Sequence, residues 1–314
     1  MKKIVIILLL LATVFAGCNY QNKQVAEKSD EPLPQKSDNS YLTESQFNEY
    51  IKKEIGFLFD LGNENIIAEA ANVVYLIRNT VLAIVKEDYA KAIEQINKAI
   101  AKAELIEKGN TENVIAAVNV VISQNVQDAE SAANILDQIK SLVETGNYQE
   151  AKQLFAQLSN EIQITKESIS VPEYLKVMKK ADELMKSKKY DEALIVINSI
   201  MGKSTFERRI IPLPLLRTQH ILDELESLIG KENTDVQNIN ILLNNADYEI
   251  RFAELLGYGK SENVYENLKE QLRSIEVSVG NNNSEEALSI VLELKVSLKD
   301  LREKVSTYKK LAQI

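Results

Sequence analysis

Arg208-Arg209-Ile210-Ile211-Pro212-Leu213-Pro214-Leu215-Leu216 lies between two stretches of helical periodicity, and its reading decides how the chain is built. Each proline fixes its own φ and steers the residue before it, Ile211 or Leu213, away from the helical region. The spacing therefore predicts an extended link. Its Ile and Leu side chains favour burial, so the link is expected beneath other elements rather than across the surface.

Helical hairpins flank it on both sides. Upstream, Tyr174, Met178, Ala181 and Met185 form one stripe, Lys188-Lys189 a turn, and Tyr190, Ala193, Leu194, Ile197 and Met201 the next stripe. Downstream, Leu215, Leu222, Leu225 and Ile229 share a face up to Gly230. A helix over 235–256 then ends in Leu255-Leu256-Gly257-Tyr258-Gly259, whose glycines suit a left-handed stop. A last hairpin is predicted from about Glu262 to Val279 and from Ser284 to about Ala312, turning at Gly280-Asn281-Asn282-Asn283.

Toward the N-terminus the pattern continues. Thr43-Glu44-Ser45-Gln46 matches a capping box ahead of Phe47, Ile51, Ile55 and Leu58. Helices follow over 64–85, from Asp88 with an alanine-rich stripe, from about Gln127 to Gly146, and from Asn147 through Leu158. Thr111–Asn125 is different. Its core, Val114 to Ile122, is β-branched and almost continuously apolar, and both a buried short helix and an extended segment fit it. Ser170-Val171-Pro172 reads as the close of this half. Tyr89-x-x-Ala92, Tyr148-x-x-Ala151 and Tyr190-x-x-Ala193 each open the second helix of a hairpin, with Ser284-x-x-Ala287 as a degenerate copy. The steps between these tyrosines are unequal, so the echo predicts paired antiparallel helices and no regular solenoid.

The N-terminus carries an address. Met1-Lys2-Lys3 precedes an uninterrupted apolar run from Ile4 to Phe15, too short to span a bilayer but suited to a signal peptide. Val14-Phe15-Ala16-Gly17-Cys18 resembles a bacterial lipobox, with Phe15 where leucine is usual. The resemblance implies that Cys18 is lipidated and becomes the mature N-terminus, held by more than one acyl chain, which suffices for stable anchoring. Asn19 to Ser40 is polar, contains Pro32 and Pro34, and reads as a tether. The expected organisation is a signal peptide over 1–17, a lipidated tether over 18–42, and a helical region over 43–314, whole or divided into 43–171 and 172–314. Asn19 after the cysteine points to the outer membrane in a Gram-negative cell.

Composition excludes several classes. The formal charge is −9, and loss of Lys2 and Lys3 with the leader makes it two units more negative. That balance argues against nucleic acid, whose binding rests on Lys and Arg neutralising phosphates. One cysteine leaves no internal disulfide and no thiolate zinc cluster.

The hairpin Tyr174–Ile197, the link Ile210-Ile211-Pro212-Leu213-Pro214-Leu215 and Glu254-Leu255-Leu256-Gly257-Tyr258-Gly259 together resemble the bacterial YfdX proteins. The likeness runs from about Ile66 to Ala312. It implies an exported, mostly helical protein, associated in some enterobacteria with envelope stress, with no established biochemical activity and no functional residues to carry over.

Chemical motifs are sparse. Gly202-Lys203-Ser204-Thr205 looks like the end of a phosphate-binding loop, but the position that needs the first glycine is Ile197, inside a helical stripe. His220, the sole histidine, is expected on a polar helix face near Arg217 and Glu224, with no nucleophile in sequence reach. Arg208 and Arg209, with Lys203 and Arg217, make the densest basic patch of an acidic chain. The patch suits an anionic head group or a partner's carboxylate, and ion pairing with Glu207, Asp223 or Glu224 is the plainer alternative. The expected fold is all-α, about ten to eleven helices in antiparallel hairpins packed as an irregular bundle or array. The expected role is a non-catalytic, stress-related binding or scaffold module on the envelope. It needs no cofactor or metal, and it meets an unidentified protein, peptide or small molecule through Arg208, Arg209, Pro212, Pro214 and Arg217. The alternative is a carrier of a small molecule or peptide with an apolar pocket beneath the proline link.

Overall fold

The computed structural model describes residues 64–109, 113–229, 231, 236–259, 263–306 and 309–310, with isolated positions 33, 45, 46, 48, 49 and 52. The leader, Cys18, the tether and most of the expected 43–62 helix lie outside them. The chain divides into Met1–Leu33 and Pro34–Ile314, and all elements named below belong to the second unit.

Ten helices dominate the described residues, as the periodicity predicts. They are α1 (Glu64–Val85), α2 (Tyr89–Glu107), α3 (Ala129–Glu144), α4 (Tyr148–Gln157), α5 (Val171–Lys186), α6 (Tyr190–Met201), α7 (Leu213–Ile229), α8 (Val236–Leu255), α9 (Val264–Gly280) and α10 (Ser284–Val305). A small antiparallel sheet lies among them: β1 (Asn113–Gln124), β2 (Asn160–Ser170), β3 (Thr205–Pro212) and the two-residue β4 (Lys309–Lys310), in the order β1-β2-β3-β4. The first three strands each follow a helical hairpin, so the chain counts out hairpin–strand units whose strands pair in sequence order.

The turns of the hairpins share one device. Glu87, Gly146, Lys188 and Asn282 all have positive φ, the left-handed residue that ends a helix. In each case the next amide reaches back to an earlier carbonyl, Asp88 to Ala83, Asn147 to Leu142, Lys189 to Leu184 and Asn283 to Ser278, and so satisfies an orphan acceptor. The helix that follows opens on Tyr89, Tyr148, Tyr190 or Ser284, and the alanine three residues on is buried every time: Ala92, Ala151, Ala193 and Ala287. Asp88, Asp128 and Asn283 accept N-capping bonds from Lys91, Ser131 and Glu286. Asn147 occupies the N-cap position of α4 without making that bond.

Four apolar clusters hold the unit together. Hairpins α1–α2 and α5–α6 share the first, where Ala92, Ala99, Ala103, Ala181 and Ala193 let the helices approach closely. This bundle draws on both sides of the 171/172 boundary. At one of its ends the rings of Tyr89 and Tyr190 stack with centroids 3.6 Å apart. The four helices α7–α10 share the second cluster. Hairpin α3–α4 rests on Tyr248 and Phe252 of α8 in the third. The fourth lies on the sheet, where Ile162, Ile164 and Ile211 meet Leu213 and Leu216 of α7, with Val118 and Val120 at its margin.

Several expectations need correction. Thr111–Asn125, open between helix and strand, supplies β1: Val and Ile are stiff at χ1 and fit a pleated surface with a partner beside them. Ser170 and Pro172 do not close a half. Pro172 sits in the first turn of α5, where its missing N–H would be unsatisfied anyway. The link is extended only to Pro212, the last residue of β3. Leu213 and Pro214 already belong to the first turn of α7, where Thr218 donates to the Pro214 carbonyl at 2.9 Å. Full burial of Leu213 against Ile162 and Leu216 outweighs the bias against helix before a proline. The final helix stops at Val305, and Lys309–Lys310 returns to pair with Glu207 and Arg208.

Candidate functional site

Side chains alternate across a strand, so neighbours in sequence face opposite ways. On β3 that rule separates the two arginines. Arg209 shares a face with Ile211 and stands opposite Ile164, on the side packed against α7; Arg208 stands opposite Thr165 on the other side. Pro212 and Pro214 are buried. Arg217, on α7, lies 3.6 Å from the Glu249 carboxylate of α8. The five residues read from sequence as one patch are therefore distributed over the two faces of the sheet, the core and a helix pair.

Arg208 instead sits on an open sheet face that the sequence did not reveal. β3 contributes Phe206, Arg208 and Ile210, and β2 contributes Gln163, Thr165 and Glu167 in register opposite them. Beyond β2, Val121 pairs with Gln163, Asn119 with Thr165 and Ala117 with Glu167. Ala117, Asn119, Val121 and Phe206 are exposed, and Gln163, Thr165, Arg208 and Ile210 are half-buried. At one end Val114 and its partner Ile169 enter the core of the first bundle. Arg208 thus stands among hydroxyl and amide side chains, with the Glu167 carboxylate on the same face and apolar surface on either side. Among the described residues no group of three His, Cys, Asp or Glu side chains converges to hold a metal. The arrangement is suited to hydrogen bonding, charge pairing and apolar contact.

The other end of this face is closed by a buried polar knot. Tyr258, in the α8–α9 connection, donates to Glu161 Oε2 at 2.9 Å and accepts from the Asn160 N–H at 3.0 Å. Gln163 donates to Glu161 Oε1 at 2.7 Å, and Asn160 Nδ2 donates to the Val126 carbonyl at 3.0 Å. Tyr265 donates to the Tyr258 carbonyl. The sheet end, the α3 entry and the helical bundle are thereby tied at one place. Burial, and next the Glu161 carboxylate, hold the Tyr258 phenol far above its ordinary value; burial and Glu254 do the same for Tyr265. Tyr248, which accepts from the Ala129 N–H at 3.3 Å, is pushed up to about 12 by burial and then Glu249.

These shifts fix a sign. Each tyrosine binds its proton more tightly folded than unfolded, so its contribution is complete below the unfolded value of about 10 and is lost as pH climbs through the folded one. Stability in urea is expected to be insensitive to these three groups up to pH about 10 and to fall steeply above it. Tyrosinate absorbance recorded beside helical circular dichroism checks this: a late-ionising subset should appear only as the helical signal collapses.

The other sequence candidates are placed plainly. Gly202 caps α6, Ser204 is buried against the Tyr174 hydroxyl at 3.2 Å, and Thr205 begins β3, so the phosphate-loop resemblance falls on a helix-to-strand turn. Lys203 reaches Glu173 at 3.7 Å. His220 is half-buried on α7 rather than fully on a surface.

No curated protein matches the chain. Among solved structures, YfdX of Salmonella Typhi aligns with a TM-score of 0.34 and 12% identity, covering 47% of this chain and 93% of its own. The family model for YfdX protein matches residues 73–207, from α1 to β3, the three hairpin–strand units that build the sheet. Over residues 73–207 the chain is similar to the YfdX proteins.

Proposed function

We propose that this protein is a lipid-anchored component of the bacterial cell envelope, on the outer membrane in a Gram-negative cell, that acts by binding rather than catalysis. It serves as a scaffold or interaction module under stress. The observation that carries the reading is Arg208 on an open sheet face between Phe206 and Ile210, with Thr165 opposite it. A carboxylate on Arg208, hydrogen bonds to Thr165, Gln163 and Asn119, and apolar contact with Phe206 and Val121 describe a peptide or small molecule with an acidic and an apolar part. Such a ligand lies on this face and not beneath the proline link, because Ile211 and Leu213 are buried against Ile162 and Leu216. The lipobox-like Val14–Cys18 supplies the anchor.

Two substitutions test the two halves separately. Cys18→Ala is expected to abolish radiolabelled palmitate incorporation and move the chain from the membrane fraction to the soluble one. Arg208→Glu is expected to leave membrane attachment and helical content intact while reducing crosslinking to envelope partners at least tenfold. Unchanged fractionation of Cys18→Ala would sink the anchor, and unchanged crosslinking of Arg208→Glu would sink the binding face.

A further inference from the structure

We propose that the chain just ahead of α1, from Ile55 to Gly62, closes a further helical hairpin and seats on the Ala71–Val74 flank of α1. Four hairpins share one numbering, measured from their left-handed residues Glu87, Gly146, Lys188 and Asn282. Seven positions before these stand Thr80, Ile139, Ala181 and Ile275, all buried. Five after stand the buried Ala92, Ala151, Ala193 and Ala287, and twelve after stand Ala99, Leu158, Ile200 and Leu294, again all buried. One turn geometry therefore sets one packing register in every hairpin.

The same turn is written once more. Gly62-Asn63 repeats Gly146-Asn147 residue for residue, and α1 opens at Glu64 as α4 opens at Tyr148. Carried to Gly62, the register makes Ile55 the seventh residue before the turn, and Ile67 and Val74 the fifth and twelfth after it. Ala71 is the ninth, and its counterparts Ile96, Ile197 and Val291 are buried in their hairpins. Ala71 and Val74 are only half-buried, and Val81 and Val85 continue their flank with Arg78 as its one charge. Among the described residues, α1 thus has the inner face of a second hairpin helix without its cover.

What covers it is the chain's own preceding segment, part of the compact unit Pro34–Ile314. Ile55, Phe57, Leu58, Phe59 and Leu61 crowd the half of that segment next to the turn, whereas Thr43 to Glu54 is mostly polar. A partner joined through so short a link has a millimolar effective concentration, which a second copy or another protein does not match. The seat also has a limit. Lys52 and Asn48, ten and fourteen residues before Gly62, are helical or flank helical positions and are exposed. At fourteen the other hairpins bury Val73, Ala132, Tyr174 and Leu268. The seat therefore ends at Ile55, and the tether enters beside the start of α1, away from the Tyr89–Tyr190 stack that follows its other end. This holds whether or not Cys18 carries lipid.

The test uses the full chain with Cys18→Ser, so that no other thiol competes. Ile55→Cys with Ala71→Cys is expected to form an intramolecular disulfide under mild copper–phenanthroline oxidation, about tenfold faster than Glu49→Cys with Ala71→Cys. Ile55→Asp, outside the clusters that hold the unit together, is expected to speed trypsin cleavage after Lys52 and Lys53 about tenfold, leaving a folded fragment with unchanged helical circular dichroism. Equal rates for the two cysteine pairs overturn the proposal, and so does a disulfide that links two chains instead of closing within one. Unchanged trypsin cleavage of Ile55→Asp overturns it equally.

Discussion

Phe252→Ala should lower stability by about 3–5 kcal/mol, the range for emptying a buried aromatic site. Phe252 is fully buried on α8 and packs at a 5.9 Å ring separation from Tyr248, where hairpin α3–α4 rests. That hairpin has little else to hold it. α3 buries only Ala129, Ala132 and Ile139, and α4 only Ala151. Removing the ring leaves a void beside Tyr248 in a packed cluster that relaxes only in part. The expected loss is therefore local first: amide protection across 129–157 should fall while the α7–α10 core, built from a separate cluster, keeps its own. Tyr248→Phe separates the contributions, since it deletes only the hydroxyl that accepts from Ala129 and should cost about 1 kcal/mol. Uniform loss of protection throughout the unit would show that the hairpin is not an independently opening piece.

The same hairpin shows what could be read in advance. Gly146 and the Tyr148-x-x-Ala151 opening are legible in sequence because left-handed stops and close packing are local demands on single residues. Strand formation is not local. Asn160–Ser170 carries Ile162-x-Ile164, an alternation the sequence does contain, but Glu161, Gln163, Lys166 and Glu167 around them blur it. β1 was open between two conformations because what decides it is β2, a distant segment of the chain that supplies its partner. The basic patch failed for a related reason. Arg208 and Arg209 are adjacent along the chain, and only the knowledge that they occupy a strand sends them to opposite faces. The prolines were legible as a break in helix, but not as the joint where β3 hands directly to α7.

Gly259 gives the other large effect. Its φ is +68°, and a Cβ built there lies 2.6 Å from Leu301 Cδ1 and 2.9 Å from Val305 Cγ2. Two penalties combine in Gly259→Ala: about 1 kcal/mol for forcing alanine into the left-handed region and about 1–3 kcal/mol for overpacking. Leu301 is 2% exposed within the α7–α10 cluster, so it has no room to retreat. Gly146→Ala is the matched control, because its φ is +79° with nothing within 4 Å of the added carbon, and it should cost only the conformational part. Equal melting shifts for the two variants would refute the packing argument. Leu301→Ala in the Gly259→Ala background should recover part of the loss, a coupling that additive sites do not show. The consequence also reaches the sheet. Gly259 follows Tyr258, whose hydroxyl joins Glu161 to the Asn160 amide, so displacing the turn lengthens both bonds at once. A buried carboxylate and a buried N–H that lose a shared partner cost about 1–3 kcal/mol each at worst, and that cost appears in β2 rather than at the turn. Faster amide exchange at Asn160 in Gly259→Ala, with no change there in Gly146→Ala, is the expected signature of that coupling.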